Sequence, residues 1–402
     1  MKPSEVREGQ RAVMEGSWAV AQAVALCRPG VISAYPITPQ THIVEDLAQM
    51  VADGDLAAEY LRVDSEFSAA SAVYGAVATG VRAYTASSSQ GLLLMTEVLY
   101  NMAGTRLPVV IGAANRTLSA PISIQPDQQD TISLRDSGLI QLYVEDSQEA
   151  HDAHIQAFRI AEDPEILLPV MVCMDGWLIT HTFEPVELAS QEAVDSFLPP
   201  FKPPYSLDPT CPFTFGSFTD DDKLMEFRYM VHQAQQKGKE KIEQVARAFE
   251  KTFGRYYGGL IDTYCAEDAE VLLLAMGTVV GTIKDAIDLM RAEGRKVGLI
   301  KIRAYRPFPA ERIREATKGA KAVAVLDNNI SLGAYGAVAS DVALCLSNQI
   351  SAPAILPCIV GLGGREITID SIRSIVERAE QMGKGRIAPA ESFWVDLHPE
   401  LL

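Results

Sequence analysis

Three short polar runs stand out for the chemistry they could carry: Tyr35-Pro36-Ile37-Thr38-Pro39, Val63-Asp64-Ser65-Glu66 and Thr85-Ala86-Ser87-Ser88-Ser89-Gln90-Gly91. Each sits where an apolar strand gives way to a helix, and ligands of parallel α/β sheets bind at the carboxyl ends of strands. Glu66 follows Ser65, a plausible helix cap, and precedes the apolar Ala69, Ala70, Val73, Ala76 and Val77. A carboxylate there either stabilises the positive helix end, worth about 0.3–1 kcal/mol, or is desolvated so that it shares a proton with a ligand nitrogen. Arg116 follows the apolar Ala113-Ala114-Asn115 and belongs to the same edge as Thr38. Its guanidinium can grip a carboxylate bidentately while the Thr38 hydroxyl adds a third bond. The plainer reading is a salt bridge to Asp127 or Asp130.

Other candidates carry less. Gly277-Thr278-Val279-Val280-Gly281 opens a helix after a strand but lacks the paired glycines of a dinucleotide loop, so it reads as a packing turn. His151 and His154 are three apart on one helix without a third ligand, and His181 is a lone histidine past a strand end, so no metal is assigned. The six cysteines, at 27, 173, 211, 265, 345 and 358, include no C-x-x-C spacing. Cysteine-built zinc and iron–sulfur sites draw ligands from such turns, so neither is expected on this chain.

The elements that must position these residues alternate. Strands are expected at 31–35, 59–63, 82–86, 107–113, 141–145 and 167–173, with helices at 41–52, 68–80, 92–103 and 148–161 between them. Such alternation gives an α/β fold of doubly wound, mostly parallel sheets. Proline-rich sequence between 199 and 212 breaks the pattern, a charged helix follows over 222–253, and a second βαβ series starts at Glu270. Three segments result: 1–190, a linker and helix at 191–262, and 263–402.

With 402 residues, 48% of them hydrophobic, and a mean hydropathy of +0.07, there is ample material for more than one core. A net charge of −17 argues against nucleic acid as a partner. The apolar stretch from Ser17 to Cys27 is too short to cross a membrane. Met1 to Glu8 is polar and mixed in sign, unlike a secretory signal, which points to a cytoplasmic protein.

Taken in order, the three runs, Ser88-Ser89-Gln90-Gly91-Leu92 with Met95, Asn115-Arg116, the Asp127–Asp130 loop, Arg135-Asp136-Ser137-Gly138, Asp175-Gly176, Arg306-Pro307-Phe308-Pro309 and Gly361-Leu362-Gly363-Gly364-Arg365 closely resemble the alpha subunit of the 2-oxoacid:ferredoxin oxidoreductases, the pyruvate synthase group. The resemblance implies a thiamine-diphosphate enzyme that oxidatively decarboxylates a 2-oxo acid to an acyl-CoA. It implies a pyrimidine-binding domain followed by a transketolase C-terminal-like domain. The diphosphate and magnesium would be held by a beta subunit that shares the cofactor, and gamma-type and ferredoxin-like subunits would contribute coenzyme A contacts and iron–sulfur clusters, with ferredoxin or another acceptor taking the electrons. By position, Glu66 looks like the glutamate that hydrogen-bonds the aminopyrimidine and drives its tautomerisation, with Ser89 and Gln90 beside it on the cofactor. Thr38 and Arg116 look like the pair that holds the substrate carboxylate, and Tyr35 and Ile37 would shape the pocket. Pyruvate enzymes of this kind carry Asp-His-Ser-Asp where this chain has Asp127-Gln128-Gln129-Asp130, so Gln128 and Gln129 would set the substrate, either pyruvate or an aryl 2-oxo acid such as phenylglyoxylate. The alternatives are a non-catalytic scaffold subunit of such a complex and a nicotinamide-dependent dehydrogenase.

Overall fold

Runs such as Val110–Asn115 and Val170–Asp175 are buried along their whole length, as strands covered by helices on both faces must be. The computed structural model describes residues 11–349, 351–385 and 391–402, so the segment Met1–Glu8 lies outside the described residues. The first unit comprises β1 (Arg11–Glu15), α1 (Gly16–Leu26), β2 (Val31–Ala34), α2 (Thr41–Ala52), β3 (Glu59–Arg62), α3 (Glu66–Ala78), β4 (Ala83–Ser87), α4 (Ser89–Leu94), α5 (Thr96–Gly104), β5 (Val110–Asn115), α6 (Gln129–Ile132), β6 (Ile140–Tyr143), α7 (Ser147–Ala161), β7 (Val170–Asp175) and β8 (Phe183–Glu187). After α8 (Gln191–Phe197) and the long α9 (Leu224–Phe253), the second unit comprises β9 (Ile261–Tyr264), β10 (Val271–Ala275), α10 (Val279–Ala292), β11 (Val297–Ile302), β12 (Ala304–Arg306), α11 (Ala310–Ala316), β13 (Ala322–Asp327), α12 (Ala337–Leu346), β14 (Ala354–Ile359), α13 (Ile369–Gly383) and β15 (Phe393–Trp394).

The largest sheet runs β12-β6-β7-β5-β4-β2-β3, a second β15-β14-β13-β10-β11-β9, and β1 pairs with β8 in a two-stranded ribbon. Strands β2 to β7 are parallel, so their carboxyl ends share one edge. The fold is thus α/β with mostly parallel sheets. Helix α2 matches its expected span. Strands β5 and β7 start three residues later than expected because Pro108 and Pro169 cannot donate to a ladder. The expected helix over 92–103 breaks at Met95, where the Thr96 hydroxyl turns back to the Leu93 carbonyl at 2.6 Å.

The two units interlock. Strand β12 leaves the second unit to pair antiparallel with β6. Beneath it Glu149 of α7, fully buried, accepts from Lys301 Nζ at 2.6 Å and Arg303 Nε at 3.0 Å. Lys301 and Lys284 also reach Glu145, at 3.0 and 2.7 Å.

Candidate active site

Strand order reverses direction between β2 and β4, and the crevice at such a switch point is where doubly wound sheets bind ligands. Glu66 opens α3 beside it. Ser65 Oγ caps the helix by accepting from Ser68 N at 3.2 Å, and Ser68 Oγ donates to Asp64 at 2.7 Å. That fixes the first turn and leaves Glu66 buried, at 7% exposure. Among the described residues no hydrogen bond reaches its carboxylate. A Cβ added at Gly91 would lie 2.6 Å from Glu66 Oε1 and closer still to Ser87 Oγ, so only glycine lets these two groups converge. Gly91→Ala should therefore cost about 1–3 kcal/mol as overpacking or displace Glu66, read by denaturant midpoint and turnover. An alanine variant unchanged in both would contradict this cradle.

The serine run divides its labour. Ser89 has φ +50°, and its amide donates to Asp130 Oδ2 at 2.9 Å. Its hydroxyl bonds the Thr117 carbonyl and Gln90 Oε1, so Ser89 shapes the turn and Gln90 stands half-buried at its lip. Thr85 Oγ1, Ser87 Oγ and Ser88 Oγ are instead buried without a partner, and buried orphans of this kind mark where a ligand or water belongs. Of the serine run, the family resemblance points to Ser89 as a cofactor contact, whereas Ser87 and Ser88 carry the unpartnered hydroxyls.

Arg116 forms no ion pair with Asp127 or Asp130. Its Nη1 donates to the Thr38 carbonyl at 2.9 Å and its Nε to the Ser123 carbonyl at 3.0 Å, leaving Nη2 without a partner among the described residues. Asp130 takes backbone and amide donors instead: Ser89 N and Arg116 N on Oδ2, Asn115 Nδ2 and Thr131 N on Oδ1. Burial pushes its carboxyl up to about 7 against the pull of these donors. The Ser123 segment is held in turn by Trp177, whose indole donates to the Ile124 carbonyl at 2.7 Å. Thr38 and Tyr35 are exposed and Ile37 is half-buried on the same edge. Ser123 and Trp177 were not anticipated as supports, because their bonds run to backbone groups that carry no residue-type signal, and Asp130, expected as an ion partner of Arg116, instead accepts from its backbone amide.

Gln128 and Gln129 do not join this group. Gln128 N donates to the Asn328 carbonyl at 2.8 Å and its Nε2 to the Met276 carbonyl at 3.2 Å, while Gln129 Oε1 accepts from Ile330 N at 2.9 Å. The second unit's loops claim both amides. Asp127, between them and Gly363, is pushed up to about 6 by burial. The Gly277 turn packs the same interface, Thr278 N and Oγ1 donating to Asp175 Oδ2 at 2.8 and 2.7 Å. His151 pairs with Asp152 at 2.7 Å, and His154 bonds the Ala150 carbonyl at 2.7 Å with its pKa lowered by burial to about 4.

Comparison with known proteins follows the same lines. A family model described as pyruvate flavodoxin/ferredoxin oxidoreductase, thiamine diphosphate-binding, matches residues 22–247, and one for the pyruvate:ferredoxin oxidoreductase core domain II matches 269–372. The pyruvate synthase subunit PorA of Methanosarcina barkeri is 52% identical, over 97% of both chains. That of Pyrococcus furiosus is 47% identical over 98% of this chain and 99% of its own. The ketoisovalerate oxidoreductase subunit VorA of Pyrococcus horikoshii is 40% identical over 96% and 98%. Among solved structures, the fold is similar to a 2-oxoglutarate:ferredoxin oxidoreductase from Magnetococcus marinus, with a TM-score of 0.70 and 19% identity, over 92% of this chain and 65% of that one. A split-gene transketolase matches with a TM-score of 0.54 and 14% identity, over 92% and 98%. The chain belongs to the pyruvate:ferredoxin oxidoreductase family, as an alpha subunit of the 2-oxoacid:ferredoxin oxidoreductases.

Proposed function

We propose that the crevice between β2 and β4 is the aminopyrimidine-facing half of a thiamine diphosphate site, and that the substrate decarboxylated there is pyruvate. The observation that carries this is Glu66: a buried carboxylate with no hydrogen-bond donor among the described residues, converging with the Ser87 hydroxyl over Gly91. An unpaired buried carboxylate is costly, so a ligand nitrogen that donates to it fits the donor set. Thiamine diphosphate would supply, when bound, a nucleophilic thiazolium carbon and a cationic ring able to take up the electron pair freed on decarboxylation. Glu66 holds and returns the proton at the ring nitrogen, and the Ser87 and Ser88 hydroxyls orient the same ring, with Gln90 at the lip. Arg116 Nη2 and the Thr38 hydroxyl bind the substrate carboxylate, and Tyr35 and Ile37 close the wall around it.

The segments 1–190 and 263–402 serve as the pyrimidine-binding and transketolase C-terminal-like domains, with 191–262 between them. A beta subunit completes the cofactor site with the diphosphate and magnesium groups, and gamma-type and ferredoxin-like subunits bring coenzyme A contacts and iron–sulfur clusters, ferredoxin being the acceptor. Exposed Tyr35, Leu61 and Phe67 around Glu66 support a covering chain. Pyruvate is favoured because the nearer curated relatives described above are pyruvate synthase subunits, and because Gln128 and Gln129, on which the aryl alternative depended, are bonded to the second unit. Dye reduction by the assembled complex with coenzyme A should rank pyruvate above 2-oxoisovalerate and phenylglyoxylate. A strong preference for either of the others would overturn the substrate.

Arg116→Ala should lower kcat/KM for pyruvate about 10- to 100-fold, the loss of one charge-assisted hydrogen bond of roughly 1.5–3 kcal/mol, with thiamine affinity unchanged. Thr38→Val should act in the same direction with a smaller effect. Weakened thiamine binding at unchanged substrate dependence would move Arg116 to a cofactor role.

A further inference from the structure

Away from Glu66, three distant parts of the chain bring metal-ligating side chains together. Strand β1 ends in Glu15, the second residue of α2 is His42, and the turn after β7 leads to His181. A carboxylate oxygen of Glu15 and one ring nitrogen from each histidine lie within 4.8 Å of one another. Glu15 and His181 are half-buried, and His42 stands at the rim. His42 Nδ1 is 2.6 Å from Glu15 Oε1. The His42 and His181 rings lie 4.6 Å apart, and Trp177 backs His181 at 4.1 Å. His181 Nδ1 bonds Thr180 Oγ1 at 2.7 Å, which leaves Nε2 as its free ligating nitrogen. A surface ion pair would need only Glu15 and His42. The second imidazole makes no hydrogen bond to that pair among the described residues; its Nδ1 bonds Thr180 instead. A further carboxylate, Asp46, lies one turn along α2 from His42.

We propose that Glu15, His42 and His181 bind one divalent transition-metal ion, zinc by preference. Two imidazoles and a carboxylate form a borderline-soft set that suits zinc, with a fourth position for water. As the ion enters, the proton held between His42 Nδ1 and Glu15 Oε1 leaves to solvent, and both atoms turn their lone pairs to the metal. The Thr180 hydroxyl, accepting from His181 Nδ1, fixes that ring as an outer-shell partner. The ion is a clip. It ties β1, α2 and the turn after β7, whose Gly176 packs against Pro39 so closely that an added Cβ would lie 2.5 Å from Pro39 Cγ, and so steadies the turn that carries Thr38.

The test uses the full chain, stripped with a chelator, supplied with zinc and passed through gel filtration. Elemental analysis should find one zinc per chain, zinc should raise Tm, and cobalt in its place should give visible d–d absorption. His181→Ala should bind at least about tenfold more weakly, with neither the Tm shift nor the cobalt spectrum, at unchanged circular dichroism. Should that variant fail to fold, His42→Gln is expected to show the same losses. A wild-type chain that retains no zinc, or a folded variant of either histidine that binds zinc as tightly as wild type, would overturn the site.

Discussion

Glu66→Gln is expected to leave the fold intact and to cut turnover of the assembled complex about 10²–10⁴-fold, the usual contribution of a positioned acid–base group. The side chain makes no protein hydrogen bond among the described residues, so an amide of the same shape loses no native contact. What it loses is the proton exchange with the ligand nitrogen. Thiamine diphosphate should still bind, more weakly, and the unfolding free energy from urea titration should stay within about 0.5 kcal/mol of wild type, as for substitutions that break no contact. A complex carrying Glu66→Gln that kept more than half of wild-type turnover would remove Glu66 from the mechanism.

Glu149→Gln is expected to do the reverse, striking stability before chemistry. Glu149 and Arg303 have fully buried side chains and Lys301 keeps only 3% exposure. Removing the anion leaves two cations in the interior, Lys301 still paired with Glu145 and Arg303 without an ion pair among the described residues. Breaking a buried pair in this way costs about 3–5 kcal/mol. Because Glu149 lies on α7 while Lys301 and Arg303 bracket the end of β11, the loss falls on the junction between the two units. Urea unfolding should show a lower midpoint or a separate early transition. An unchanged single transition would mean that β12 and the apolar interface alone hold the units together.

The sequence made legible whatever depends on local pattern. Ser65 could be read as a cap and Glu66 as a first-turn residue because both follow from spacing along one helix, and α2 was readable over Thr41–Ala52 for the same reason. Pairings between distant short strands were not legible. Strands β1, β8 and β12 are three to five residues long and exist because a partner far along the chain supplies the ladder. Gln128 and Gln129 were assigned to the substrate on a loop whose other neighbour, the second unit, could not be seen. Once Met276, Asn328 and Ile330 present their backbone groups, those amides have nearer partners. Arg116 was read at the right edge, yet its anchors at Thr38 and Ser123 are carbonyl oxygens, available at any residue type.

The central claim is that this chain carries one half of a shared thiamine diphosphate site, and release of CO₂ from carboxyl-labelled pyruvate tests it most directly. With thiamine diphosphate, magnesium and coenzyme A present, the isolated chain should release none, and release should appear when separately purified partner subunits are added. Decarboxylation by the isolated chain would contradict the split site.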